Sequence, residues 1–102
     1  MRVFSKAQVI KVVDGDTVDL KIDLGFYVHA IIRIRLHGVD TPERGSPLFD
    51  QATEVHRDLL NDVADENGQF LVRVYKTGKF GRWLGWIDGV NDVLAETWPY
   101  RK

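Results

Sequence analysis

Cysteine is absent from this 102-residue chain, so neither a disulfide nor a thiolate zinc site can hold its fold. That absence says nothing about compartment. No long apolar run follows Met1 to Lys6, and no signal peptide or membrane span is expected. The simplest expectation is a cytoplasmic protein with no membrane partner; a trimmed secreted form would look the same. An excess of charge is missing too: 14 basic residues face 15 acidic ones, for a net charge of −1. A protein that grips nucleic acid by bulk positive charge is therefore disfavoured, whereas a site with locally concentrated charge is not. Repeats, linkers and low-complexity stretches are also lacking. Residues 1–102 are expected to form a single domain, as a monomer, with a modest core.

The patterning that is present is mostly that of strands. Val9, Ile10, Val12 and Val13 predict a first strand ending at Asp14-Gly15. From Thr17 to Leu24 the alternation is clean, with Val18, Leu20, Ile22 and Leu24 on one face. After a turn at Gly25, a third strand places Val28, Ala30, Ile32, Ile34 and Leu36 on one face and His29, Ile31, Arg33, Arg35 and His37 on the other. Ser46-Pro47 predicts a helix start, and Leu48, Ala52, Val55, Leu59 and Val63 follow at helical spacing up to a stop at Asn67-Gly68. Phe70, Val72 and Val74 form the inward face of a fourth strand, and Trp83 to Ile87 a fifth. Asn91-Asp92 caps a short last helix that runs to about Thr97 before Pro99. The expected fold is mainly β with helices (α+β): a five-stranded OB-type barrel, one main helix between strands 3 and 4, and a short C-terminal helix.

A hairpin of strands 2 and 3 about Gly25-Phe26 sets Asp16 opposite or nearly opposite Arg35, with Asp40 and Glu43 just past the same end. Two aspartates crowded there repel unless a cation joins them, and carboxylate and carbonyl oxygens suit Ca²⁺ or Mg²⁺. Thr41 can add its backbone carbonyl, and water and phosphate oxygens would complete the shell. Pro42 stiffens the link to Glu43. Three segments thus offer the groups that cut a phosphodiester: Asp14-Gly15-Asp16-Thr17, Arg35 through Asp40-Thr41-Pro42-Glu43, and Lys79-Phe80-Gly81-Arg82. They supply carboxylates for a hard cation, another to activate water, and two arginines for the phosphate. Each segment alone has a plainer reading: a common turn, a helix entry, a solvated strand face, an uninformative Gly-Arg pair. His29, His37 and His56 lack metal-ligand spacing and are expected at the surface or boundary. Trp83, Trp86 and Trp98 are expected in core and edge packing rather than as a base-stacking platform.

Val12-Val13-Asp14-Gly15-Asp16-Thr17-Val18, Ile34 to Glu43, Thr77 to Leu84, and Val90-Asn91-Asp92-Val93-Leu94, in this order, resemble the staphylococcal nuclease-like (thermonuclease) domain family over roughly residues 6–97. The resemblance implies an OB-type barrel and a calcium-dependent nuclease acting on DNA and RNA, with single strands preferred and 3′-phosphate ends released. It implies Ca²⁺, ahead of Mg²⁺, bound by the side chains of Asp16 and Asp40 and the carbonyl of Thr41. Glu43 would be the general base, Arg35 and Arg82 would hold the phosphate, and Lys79 and Phe80 would lie in the substrate-binding segment. Phe80 stands where the best-known member has a tyrosine, which removes one hydroxyl contact to a terminal phosphate. The loop Arg44-Gly45-Ser46-Pro47 lacks a lysine-rich insertion found in longer relatives. A catalytically silent nucleic-acid-binding module and a protein-interaction domain are the alternatives.

Overall fold

A computed structural model describes residues 2–76 and 82–98. Five strands close into a barrel and two helices lie outside the sheet: β1 (Arg2–Asp14), β2 (Thr17–Asp23), β3 (His29–Leu36), α1 (Phe49–Val63), β4 (Phe70–Lys76), β5 (Trp83–Trp86) and α2 (Asn91–Thr97). Their order around the barrel is β1-β2-β3-β5-β4, with β4 returning to β1. This is the expected OB-type α+β architecture. No described helix is long and apolar enough to cross a membrane.

Alternation in the sequence explains most of the closure. In β2 the residues Val18, Leu20 and Ile22 are buried while their neighbours stay partly exposed. Ile34, Leu36, Val72 and Val74 fill the same interior from β3 and β4. β1 is longer than its apolar residues suggested. It pairs with β2 through its second half and with β4 through its first, and its register shifts between Val9 and Lys11. Such an irregularity bends a strand and lets it serve both seams. It also turns Val9 and Ile10 outward, so that Ala7 and Val12 are the core residues of β1.

β5 runs parallel to β3 and antiparallel to β4. Its sequence Trp83-Leu84-Gly85-Trp86 makes sense only in that slot. Gly85 faces the core, where a Cβ would collide with the Cγ2 of Ile34. The β2–β3 register is one residue from that expected, with Thr17 opposite Arg35.

Three local expectations shift. α1 begins at Phe49 rather than at Ser46-Pro47, because Ser46 closes a preliminary turn by accepting the amides of Leu48 and Phe49. Leu48 is consequently exposed and outside the buried stripe, which is Ala52, His56 and Leu60. The helix stops at Val63, not at Asn67-Gly68. Asp65 accepts the amides of Asn67 and Gln69 through its side chain and builds a separate turn into β4. Asn91 does not cap α2, whose first flanking residue is Val90.

Candidate active site

The β1–β2 turn is the first wall of the site. Asp14 Oδ1 accepts the Asp16 amide at 3.1 Å, which folds the turn onto itself. Gly15 is required there for space: a Cβ would lie 2.7 Å from Thr41 Oγ1 and 2.8 Å from both Thr41 Cβ and Ala52 Cβ. The turn is thereby pressed against the Asp40-Thr41 segment on one side and α1 on the other. The Asp16 carbonyl accepts the Leu36 amide at 2.7 Å, and its carboxylate accepts the Thr17 hydroxyl at 3.1 Å and the Thr41 amide at 3.4 Å. Residues distant in sequence are locked together by backbone as well as side-chain bonds.

Arg35 joins the second wall. One of its nitrogens, Nη2, donates to the Val39 carbonyl at 3.2 Å and lies 3.5 Å from Asp16 Oδ2 and 3.7 Å from Asp40 Oδ1. Two carboxylates therefore share one guanidinium nitrogen, which keeps the two acids close. The Asp40 amide is fixed by the carbonyl of Trp98, just beyond α2. Thr41 is buried, whereas Glu43 and Arg82 present exposed side chains.

Asp16, Arg35, Asp40, Thr41, Glu43 and Arg82 all line one cavity of about 390 Å³, together with Asp14, Thr17, Pro42, Arg44 and Phe49. The residues singled out by sequence thus come together wherever they are described. Lys79 and Phe80, expected to touch substrate, lie outside the described residues, as does Gly81.

Electrostatics in the cavity favour a cation. Burial raises the Asp16 carboxyl above its usual range; the neighbouring Asp14 raises it further, and Arg35 only partly opposes them. A carboxylate held in this way gains from a second positive charge. The donors are all oxygens, the chemistry of Ca²⁺ or Mg²⁺ rather than of a soft metal. Among the described residues no three acidic or histidine side chains form a metal-binding group by themselves. A divalent ion here would rely on two carboxylates, a carbonyl, water and substrate oxygens, and the residues present fit that role.

Two contributors were not foreseen. His56, expected near the surface, is fully buried on α1, and its Nδ1 lies 2.8 Å from the Asp14 carbonyl. A carbonyl only accepts, so Nδ1 carries a proton; Nε2 is buried with no partner among the described residues. Asn91, also buried, accepts the Ile87 amide at 2.8 Å and donates to the His37 carbonyl at 2.9 Å and the Gly85 carbonyl at 3.0 Å. It ties α2 to the strand ends from which Asp40 departs. Helical position (four after Ala52 and four before Leu60) was the available signal for His56; the sequence marked Asn91 only as a helix cap, not as a buried tie. The tryptophans divide. Trp98 packs against the core, Trp83 is 39% exposed, and Trp86 lines an apolar surface hollow with His37, Arg73 and Tyr75.

No family model matches the chain. Over 107 aligned residues the chain is 24% identical to the micrococcal nuclease of Shigella flexneri, an alignment covering 94% of this chain and 59% of that protein. The chain therefore spans less than two thirds of the relative's length. The relationship supports a staphylococcal nuclease-like domain.

Proposed function

From that relationship and the shared cavity, we propose that the chain is a calcium-dependent nuclease that hydrolyses phosphodiester bonds of DNA and RNA. The observation that carries the reading is the convergence of Asp16, Arg35, Asp40, Glu43 and Arg82, drawn from three separate segments, on one polar cavity. Ca²⁺, when held by Asp16, Asp40 and the Thr41 carbonyl, supplies positive charge to a substrate that is itself an anion.

Glu43 acts as general base. Its carboxylate takes a proton from water as the water oxygen bonds to phosphorus. Arg35 and Arg82 grip the non-bridging oxygens and are worth most when the five-coordinate phosphorus carries its extra negative charge. The guanidinium suits this task because it stays charged and can bond two oxygens at once. The bond from phosphorus to the 5′-oxygen then breaks. That oxygen leaves with the bonding electrons and takes a proton from solvent, and the product strand ends in a 3′-phosphate.

Incubation with single-stranded DNA and Ca²⁺, followed by addition of a chelator, tests the reading. Cleavage is expected with the ion and not after chelation. Glu43→Ala and Arg82→Ala should each slow cleavage by about 10²–10³-fold while the protein stays folded. Undiminished cleavage in both variants would overturn the roles given to them. Salt-sensitive binding of DNA without any cleavage would instead favour a silent binding module.

A further inference from the structure

We infer that a second groove, next to the cavity described above, binds a nucleotide beyond the two that flank the scissile bond: its phosphate on Lys76 and Arg33, and its base on Trp83. The inference rests on the nuclease reading for the identity of the ligand. The groove has a volume of about 520 Å³ and shares Asp14, Thr17, Arg35 and Arg82 with the first cavity, so the two are continuous. Its own residues are Val13, Arg33, Lys76 and Trp83.

The composition of this groove differs from that of the chain as a whole. Overall the molecule carries a net charge of −1. Among the described residues that line it are four cations, Arg33, Arg35, Lys76 and Arg82, and one carboxylate, Asp14; Asp19 pairs with Arg33, and Asp16 and Asp40 lie beside Arg35 just outside it. A strand that bulk charge would not attract meets local positive charge here. The groove also holds a large exposed ring. Trp83 is 39% exposed at the start of β5, and the Lys76 ammonium lies 5.5 Å from its ring centroid. A cation and an aromatic face at one spot match the two parts of a nucleotide, because every base presents a π-face. Arg33 is already oriented by Asp19, which its Nε meets at 2.8 Å, so it can turn remaining donors to a phosphate without searching for a position. Register pairs Trp83 with Lys76 on β4 and with Ile34 on β3, and the groove's lining brings Arg33 and Arg35 to the same place.

The experiment compares Trp83→Leu, Trp83→Phe and Lys76→Gln with the unaltered protein, using a single-stranded oligonucleotide and a dinucleotide that has no further phosphate to reach the groove. Trp83→Leu should raise KM for the long strand about tenfold with kcat nearly unchanged, and leave the dinucleotide within twofold; Trp83→Phe should restore most of the loss. Lys76→Gln should lower the slope of log affinity against log salt by about 0.7, the value for one phosphate contact on a single strand. Strand binding measured by anisotropy in chelator, where nothing is cut, separates this inference from the nuclease reading. If binding depends on Trp83 and Lys76 but the unaltered protein never cleaves, the groove stands and the nuclease reading falls. If cleavage occurs and neither variant changes KM or the salt slope, or if both substrates suffer equally, the groove assignment is overturned. Thermal melts of each variant exclude unfolding as the cause.

Discussion

His56 should make this protein acid-sensitive in a way that one substitution removes. Its ring is fully buried, with Nδ1–H donated to the Asp14 carbonyl and Nε2 lacking any partner among the described residues. Protonating Nε2 puts a charge where nothing can solvate it, and burial accordingly lowers the imidazole pKa below its ordinary 6.5; the bond to Asp14 opposes the shift in part. The unfolded chain takes up the proton near pH 6.5 and the folded chain only at lower pH. The stability contributed by the neutral ring is therefore present above pH 6.5 and lost as pH falls toward the folded value. Across that window the loss is at most about 1.4 kcal/mol per pH unit. Asp16 works in the opposite sense, since its raised pKa means that the folded state binds its proton more readily than the unfolded state. A comparison at fixed Asp16 cancels that contribution. In His56→Leu the Asp14 carbonyl loses its donor, which costs about 1–3 kcal/mol at pH 8. Urea melts at pH 8.0 and 5.5 should show this deficit shrinking at the lower pH, by no more than about 1.4 kcal/mol for the one pH unit below 6.5, because only the unaltered protein has the buried ring to protonate. His29 and His37 are common to both proteins and drop out of the difference. A gap that stays constant across the range would refute the argument.

Gly15→Ala should destabilise the fold by about 1–3 kcal/mol, because the new methyl meets Thr41 and Ala52 at 2.7–2.8 Å; the melts should show it, with Ala52→Gly returning part of the loss. Asn91→Ala breaks three hydrogen bonds in a buried setting and should cost about 2–4 kcal/mol in the same assay. Arg35→Lys keeps the charge near Asp16 and Asp40 but removes the fork. Under the proposed mechanism it should slow cleavage about 10²-fold or more with a much smaller change in the melting midpoint.

The parts of the structure that were legible in sequence share one property: they follow from local periodicity or from a hairpin. Val18, Leu20 and Ile22 declare a half-buried strand because side chains alternate across a sheet. The pairing of β2 with β3 then brings Asp16 beside Arg35 without further information, to within one residue of register. The OB-type order of elements was likewise readable from five short strands and one inserted helix. Helix limits were less so, since Ser46 and Asp65 spend their side chains on turns that compete with helix extension.

Sequence alone determined which acids and guanidinium groups the chain carries and which end of a hairpin most of them occupy, because those depend on neighbours along the chain. Only the tertiary structure decided that Arg82 joins them from just before β5, that His56 props the Asp14 turn from behind, and that Asn91 ties α2 to His37 and Gly85. Such contacts are made between elements far apart in the chain, and their geometry is set by barrel closure and by the shape of the buried core, which no local pattern encodes.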